Sequence, residues 1–243
     1  MSLEKDIWNS SAIASVIIQI YSLTNKADVE KMVELGIDHL GFAVGYQDVP
    51  ARISVSKAQQ LFTLIPDSHS IVTLTVHTDP STIIEFASTV SPDILHICSA
   101  TTTVSIDEQV SIKEAISDDI EIMKAINVTG PDSIEHARNY AEVSDYLILD
   151  TATDEVSGVG ASGETHDWDI SKEIVTAVDI PVILAGGLNP ENVAKAVKYV
   201  QPAGVDSYTH TSATPDRKDY EKVATFAERA RQAANSINTT HDG

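Results

Sequence analysis

Eight apolar, often β-branched runs alternate with eight amphipathic segments along almost all of this 243-residue chain, and that alternation restricts the fold more than any other feature. The runs at 16–20, 39–44, 71–77, 93–98, 120–126, 146–149, 181–185 and 204–207 read as strands. The segments at 26–35, 56–65, 80–90, 106–116, 131–143, 169–177, 190–199 and 218–236 carry apolar residues at helical spacing. Several open on a capping residue or a first-turn proline, as at Asp79-Pro80, Gly130-Pro131-Asp132 and Asn189-Pro190. Strands that alternate with helices over short connections pair in parallel, and eight such units in a chain of this length predict one closed (β/α)8 TIM barrel. An open doubly wound sheet is the alternative, but no glycine-rich dinucleotide fingerprint follows the first run. With no linker rich in Pro, Gly or Ser, the expected organisation is an extension over 1–15, a barrel over 16–236 and a polar tail over 237–243. The extension caps the barrel bottom or meets another subunit, and the sequence does not choose.

Charge limits the partners. Thirty-six acidic residues against 16 basic ones give a net charge of −20, a field that repels nucleic acid and anionic membranes. Ordinary acidic solubility and adaptation to high salt both fit this balance. No run approaches the roughly 20 apolar residues that span a bilayer. The first residues, MSLEKDIWNSSAIASVIIQIYS, lack a basic stretch and a clear cleavage site. The single cysteine, Cys98, cannot form a disulfide within the chain. A cytoplasmic protein, monomeric or homodimeric, is the expectation.

Barrel chemistry gathers at the C-terminal ends of the strands. Those positions are Tyr21, Tyr46, His77, His96, Cys98, Asp150, the Gly186-Gly187 pair and Tyr208-Thr209-His210. The longest connection, DTATDEVSGVGASGETHDW over 150–168, has the polar, glycine-containing composition of a cover. In PVILAGGLNPENVAKAV over 181–197, a strand runs into two glycines and then a helix. Glycines admit close backbone approach, and a helix N-terminus offers unpaired N–H groups, so a phosphate suits this turn, although a purely structural turn uses the same residues. The mouth thus carries His77, His96, Cys98, Asp150 and His210. Inert hydrogen-bonded side chains, a rewired acid–base pair and a metal site are the three readings. No H-x-H or C-x-x-C pair supports a metal, and nothing calls for a cofactor.

From about residue 17 to 230 the chain resembles the phosphoribosylanthranilate isomerase family. IQIYSLTNKADVEKMVELGIDHLGF is similar to that family's KICG-(L/I)-T opening followed by G-A-D-x-x-G-F. YLILDTATDEVSGVGASGETHDW resembles L-L-L-D and then G-G-T/S-G-K/Q-x-F-D-W. ILAGGLNPENVAKAV is close to L-A-G-G-L-x-P-E-N-V, and PAGVDSYT with Arg217-Lys218-Asp219 is similar to G-V-D-x-S-S-G and its downstream K-D. The resemblance implies a barrel of the ribulose-phosphate-binding type and an Amadori rearrangement of N-(5-phosphoribosyl)anthranilate. The family's aspartate after the sixth strand protonates the ring oxygen, and Asp150 stands there. The phosphate would fall to Gly186, Gly187, Thr209 and His210, under a cover containing Ser162 and Gly163.

The departures concentrate at the mouth. The family's basic cysteine after the first strand is replaced by Tyr21, whose phenol, near ~10, ionises far less readily than a thiol near ~8.5. Tyr21 therefore contacts or obstructs substrate more readily than it takes a proton, and His96 is the candidate replacement base. The family's Q-L-H-G becomes His96-Ile97-Cys98-Ser99, and its serine-serine-glycine becomes Tyr208-Thr209-His210. Arg52, in VPARISVS, matches the family's carboxylate-binding arginine only with a one-residue shift. Glu164 stands where the family's cover has Lys or Gln. Three functions follow: the family isomerase with an altered base, an isomerase or lyase acting on another phosphorylated sugar, or a barrel that only binds a phosphorylated metabolite.

Overall fold

The computed structural model describes residues 16–45, 49–151 and 166–241, with side chains to 237. The extension over 1–15, Tyr46, Ser162, Gly163 and Glu164 lie outside the described residues. Eight strands form the frame: β1 (Ile17–Ile20), β2 (His39–Ala43), β3 (Ser70–Thr75), β4 (Ile94–Ile97), β5 (Glu121–Asn127), β6 (Tyr146–Asp150), β7 (Val182–Leu184) and β8 (Gly204–Ser207). Each pairs in parallel with its sequence neighbours, and β8 returns to β1 with Ile17 opposite Gly204 and Ile20 opposite Ser207. The barrel is closed.

The helices are α1 (Lys26–Glu34), α2 (Val55–Phe62), α3 (Pro80–Val90), α4 (Ile106–Ala115), α5 (Asp132–Ala141), α6 (Trp168–Ala177), α7 (Val193–Val200) and α8 (Tyr220–His241). Side chains start most of them: Asn25, Ser54, Asp79 and Asp167 each accept a first-turn N–H, and Ser105 with Glu108 forms a capping box. Several boundaries differ from expectation by one to five residues, among them the end of α2 at Phe62 and of β3 at Thr75, and two have a visible cause. Helix α7 begins at Val193, not at 190, because the Asn189 carbonyl oxygens and the Asn192 side chain build a separate turn ahead of it. Helix α8 starts after Asp219, whose carboxylate accepts the Lys222 N–H, and runs through the expected tail to His241. Ile237 continues the apolar spacing of Ala230 and Ala233 and packs on the core, so the helix does not stop at Ser236. Between β8 and α8 the chain also forms a 3-10 turn, Thr209–Thr211, and a hairpin, β9 (Ser212–Thr214) with β10 (Arg217–Lys218).

Period-two alternation divides the strands between two cores. Outward residues such as Ile18, Ile20, Leu40, Phe42, Leu95, Ile97, Leu147 and Leu149 pack under the helices. Inward residues, among them Tyr21, Val72, Ile94, Cys98, Met123, Ile148 and Ile183, fill the barrel. Burying each large apolar side chain contributes about 1.5–3 kcal/mol before conformational entropy is charged against it. Lys124 breaks the outward apolar pattern of β5. Its Nζ donates to the Ser99 carbonyl and lies 5.4 Å from the centre of the Tyr140 ring, and burial lowers its pKa to about 8.

One carboxylate ties the two ends of the ring together. Asp28 on α1 is fully buried. It accepts the Lys218 N–H at 3.2 Å, the Tyr220 hydroxyl at 2.8 Å and the Asn25 amide at 2.8 Å, with the Arg217 Nε at 3.4 Å. Neighbouring donors of this number satisfy a buried carboxylate without a bulk-water shell.

Candidate active site

Tyr21 leaves the end of β1 and crosses the barrel to β4, where its hydroxyl meets His96 Nδ1 at 2.7 Å. Gly41 on β2 makes that path possible: a Cβ there would lie 2.6 Å from two ring carbons of Tyr21. Burial, with smaller contributions from Asp206 and Cys98, pushes the Tyr21 phenol well above its ordinary range. Burial and then Lys124 lower His96 to about 3. A protonated phenol and a neutral imidazole therefore share this hydrogen bond at neutral pH. His96 Nε2 is buried and has no hydrogen-bond partner among the described residues. The pair closes the β1–β4 side of the mouth, and neither member takes up a proton readily at neutral pH.

The opposite side is built around Asp150 at the end of β6. Its carboxylate accepts the Thr151 N–H at 2.7 Å, and lost hydration raises its pKa to about 7 despite that bond. A carboxyl near 7 carries a proton it can give at neutral pH. Gly186 packs directly against it. A Cβ on Gly186 would lie 2.6 Å from Thr151 Oγ1, 2.8 Å from His166 Nδ1 and 3.3 Å from Asp150 Oδ1, and φ is +75°. Gly186→Ala should therefore lower stability by about 1–3 kcal/mol through overpacking and left-handed strain. An unchanged urea midpoint would mean that Thr151 and His166 yield freely.

The glycine turn is held from behind. Asn192 Nδ2 donates to the Gly187 carbonyl at 3.0 Å, and Asn189 Oδ1 accepts the N–H groups of Glu191 and Asn192, both at 2.9 Å. The expected supply of unpaired N–H groups at the start of α7 is thus absent at Glu191 and Asn192, because Asn189 has taken them. Any anion at this turn meets Gly186 and Gly187 themselves.

Two further groups complete the interior. Asp206 on β8 is buried and accepts Gln19 Nε2 at 3.2 Å, while Gln19 Oε1 lies 3.0 Å from His39 Nδ1. Burial, then the charge of Asp150, raises Asp206 to about 7, against smaller opposing effects of Gln19 and Lys218. Lys218 on β10 is buried beside Tyr208, its Nζ 3.0 Å from Ser212 Oγ, and burial lowers it to about 7. Asp206 escaped the sequence reading because it sits one layer below the strand end, where alternation places it inward without marking it as mouth. His166 escaped it inside the long connection, just ahead of α6.

The remaining candidates spread around the rim. Thr209 is exposed and His210 half-buried on the 3-10 turn after β8, which neighbours β7 and its glycine turn. His96 lies across the ring from them on β4. Arg52 is exposed between β2 and α2. His77 stands edge-on to Phe86 of α3, with ring centres 6.3 Å apart. Among the described residues no three His, Cys, Asp or Glu side chains converge as a metal site.

A family model described as N-(5'-phosphoribosyl)anthranilate (PRA) isomerase matches residues 18–229, nearly the whole barrel. The chain belongs to the phosphoribosylanthranilate isomerase family. The N-(5'-phosphoribosyl)anthranilate isomerase of Haloferax volcanii is 32% identical over 230 residues, covering 91% of this chain and 96% of its own. That of Halobacterium salinarum is 32% identical over 215 residues, covering 88% and 94%. The crystal structure of the Thermotoga maritima isomerase superposes with a TM-score of 0.75 at 29% identity, over 89% of this chain and 99% of that one. A phosphoribosylanthranilate isomerase crystallised with reduced 1-(o-carboxyphenylamino)-1-deoxyribulose 5-phosphate gives 0.73 at 27% identity, with coverage of 89% and 99%.

Proposed function

We propose that this chain catalyses the Amadori rearrangement of N-(5-phosphoribosyl)anthranilate, with Asp150 as general acid and Asp206 in place of the missing basic cysteine. The observation that carries this reading is the pair of interior carboxyls, each lifted to about 7 by burial, with Asp150 contributing to the rise at Asp206. Two such groups hold about one proton between them near neutrality, which supplies an acid and a base at once. Asp150 gives its proton to the ring oxygen as the C1–O bond breaks and nitrogen donates its lone pair to C1. Asp206 then takes the C2 proton; the C–H electrons form the C1–C2 double bond, and the iminium pair returns to nitrogen. The enol so formed becomes the ketone.

In this reading the phosphate sits between the Gly186-Gly187 turn and the Thr209-His210 turn, which adjacent β7 and β8 bring side by side. Arg52 serves the anthranilate carboxylate, and Ser162 and Gly163 belong to the cover. Tyr21 and His96 shape the wall facing the sugar. No cofactor, metal or nucleic acid takes part. No helix among the described residues is long and apolar enough to cross a membrane. The proposed setting is the cytoplasm, as monomer or homodimer.

A second reading has one specific support. The Tyr21 ring, laid over Gly41 and bonded to His96, fills space on the side where the family places its base, which favours a different phosphorylated sugar or a ligand that is only bound. Loss of phosphoribosylanthranilate fluorescence, followed in low and in molar salt, decides between them. Consumption is expected. Well-folded protein that consumes none in either salt would transfer the proposal to the second reading.

A further inference from the structure

Lys218 returns from the β9–β10 hairpin to the turn that precedes it. Its Nζ donates to Ser212 Oγ at 3.0 Å and to the Tyr208 carbonyl at 3.4 Å, and the Ser212 hydroxyl donates to that same carbonyl at 2.7 Å. Tyr208 and Ser212 are the residues just before and just after the Thr209–Thr211 turn, so one ammonium staples both of its ends. The same ammonium lies 5.0 Å from the centre of the Tyr208 ring. The backbone that carries it is fixed as well. Asp28 accepts the Lys218 N–H at 3.2 Å, and the Thr24 hydroxyl donates to the Asp216 carbonyl at 2.8 Å.

The fold holds this lysine firmly and gives it no counter-charge. Lys218 is buried, and no carboxylate among the described residues comes within ion-pairing distance of its Nζ. Burial lowers it to about 7, with Asp206 and then Asp28 opposing that fall from farther away. A buried cation is costly until an anion meets it. We propose that Lys218 is a positioning residue for the phosphate group of a bound sugar phosphate: it holds the Thr209–Thr211 turn closed and sets a positive charge behind it. The inference rests on the reading of that turn as part of the phosphate subsite. A chain of net charge −20 repels a dianion at long range, so a local cation is what makes the subsite attractive.

Three substitutions separate this role from packing. Lys218→Met keeps the length and the apolar stem but loses the charge and both bonds; Lys218→Gln keeps a donor without the charge; Ser212→Ala keeps the charge and removes one anchor. Calorimetric titration with reduced 1-(o-carboxyphenylamino)-1-deoxyribulose 5-phosphate, and with its dephosphorylated form, reads the phosphate contribution directly. The phosphorylated ligand should bind roughly tenfold more weakly to the Met variant, by most of that factor to Gln, and about threefold more weakly to Ser212→Ala. The dephosphorylated form should stay within about twofold of wild type throughout. Without ligand, the Met variant should melt no earlier than wild type, because losing an unpaired buried charge offsets the two lost bonds. Equal losses for both ligands, or full affinity in the Met variant, would overturn the inference. An early-melting Met variant with its phosphate preference intact would make Lys218 a residue of the fold alone. A wild type that binds the phosphorylated ligand through Lys218 yet consumes no phosphoribosylanthranilate would sink the isomerase reading and leave this subsite standing. One that binds neither form would sink both.

Discussion

Asp150→Asn is expected to abolish turnover and to make the protein harder to unfold at alkaline pH. The amide fills the same space but has no proton to deliver to the ring oxygen, so a loss of roughly 10²–10⁴-fold is expected. The stability effect has the opposite sign. Asp150 titrates at about 7 in the folded protein against an ordinary 3.8. Between those values the folded state binds more protons than the unfolded one, so stability falls as pH rises from about 4 to 7 and is level beyond. Asparagine carries no such penalty, and it also relieves Asp206, whose pKa Asp150 helps to raise. Because Asp150 remains partly exposed, the gain above pH 7 is set at about 1–3 kcal/mol, which for a chain of this size is about 2–4 °C of Tm per kcal/mol. Calorimetry at pH 4 and pH 8 checks this: the two proteins should melt together at the lower pH and apart at the higher. A variant less stable at pH 8 would mean that the Asp150 carboxylate is held by favourable contacts, and the acid role would lose its physical basis.

The second large effect belongs to Tyr21. Tyr21→Cys removes a buried ring, which costs about 3–5 kcal/mol, and strips His96 Nδ1 of its partner, which costs about 1–3 kcal/mol more. A domain commonly has only about 5–15 kcal/mol in total, so the variant should melt markedly earlier. Gly41→Ala in the wild type drives a methyl to within 2.6 Å of ring carbons and should cost about 1–3 kcal/mol. Combined with Tyr21→Cys, the same alanine should cost almost nothing, and could fill part of the void. A coupling above about 1 kcal/mol in this double-mutant cycle would establish that glycine and ring share one space. Simple additivity would show that the ring moves aside without cost. Turnover per folded molecule should rise in Tyr21→Cys, since space opens at the end of β1 and a thiol, which ionises more readily than a phenol, enters it. A fall would make the ring part of the working site.

The barrel was legible because each parallel strand is covered on both faces and so stands out as an apolar run between helical patterns. Asp150 and the glycine pair were legible for a related reason, since strand ends on the mouth side are fixed once the strands are placed. What stayed hidden depends on side chains meeting across the ring. Alternation turned His96 inward, but nothing local said that Tyr21 of β1 would reach it. Asp206, Gln19 and His39 lie below the rim, in a layer that sequence position marks as filler. The start of α7 was misplaced because Asn189 and Asn192 bond to each other's backbone instead of extending the helix, a choice made over three residues and invisible to periodicity.

Asp28 gives the order of assembly a physical basis. Its bonds to Lys218 and Tyr220 join residues 190 and 192 positions apart. Contacts at such separation must bear the entropy of closing nearly the entire chain before they return anything, so they form late and dissolve early. The hairpin that this carboxylate anchors follows directly on the Thr209–Thr211 turn at the mouth. A nascent or clipped chain thus has strands and helices long before it has a binding face, and competence arrives in one step, with the last turn of the ring.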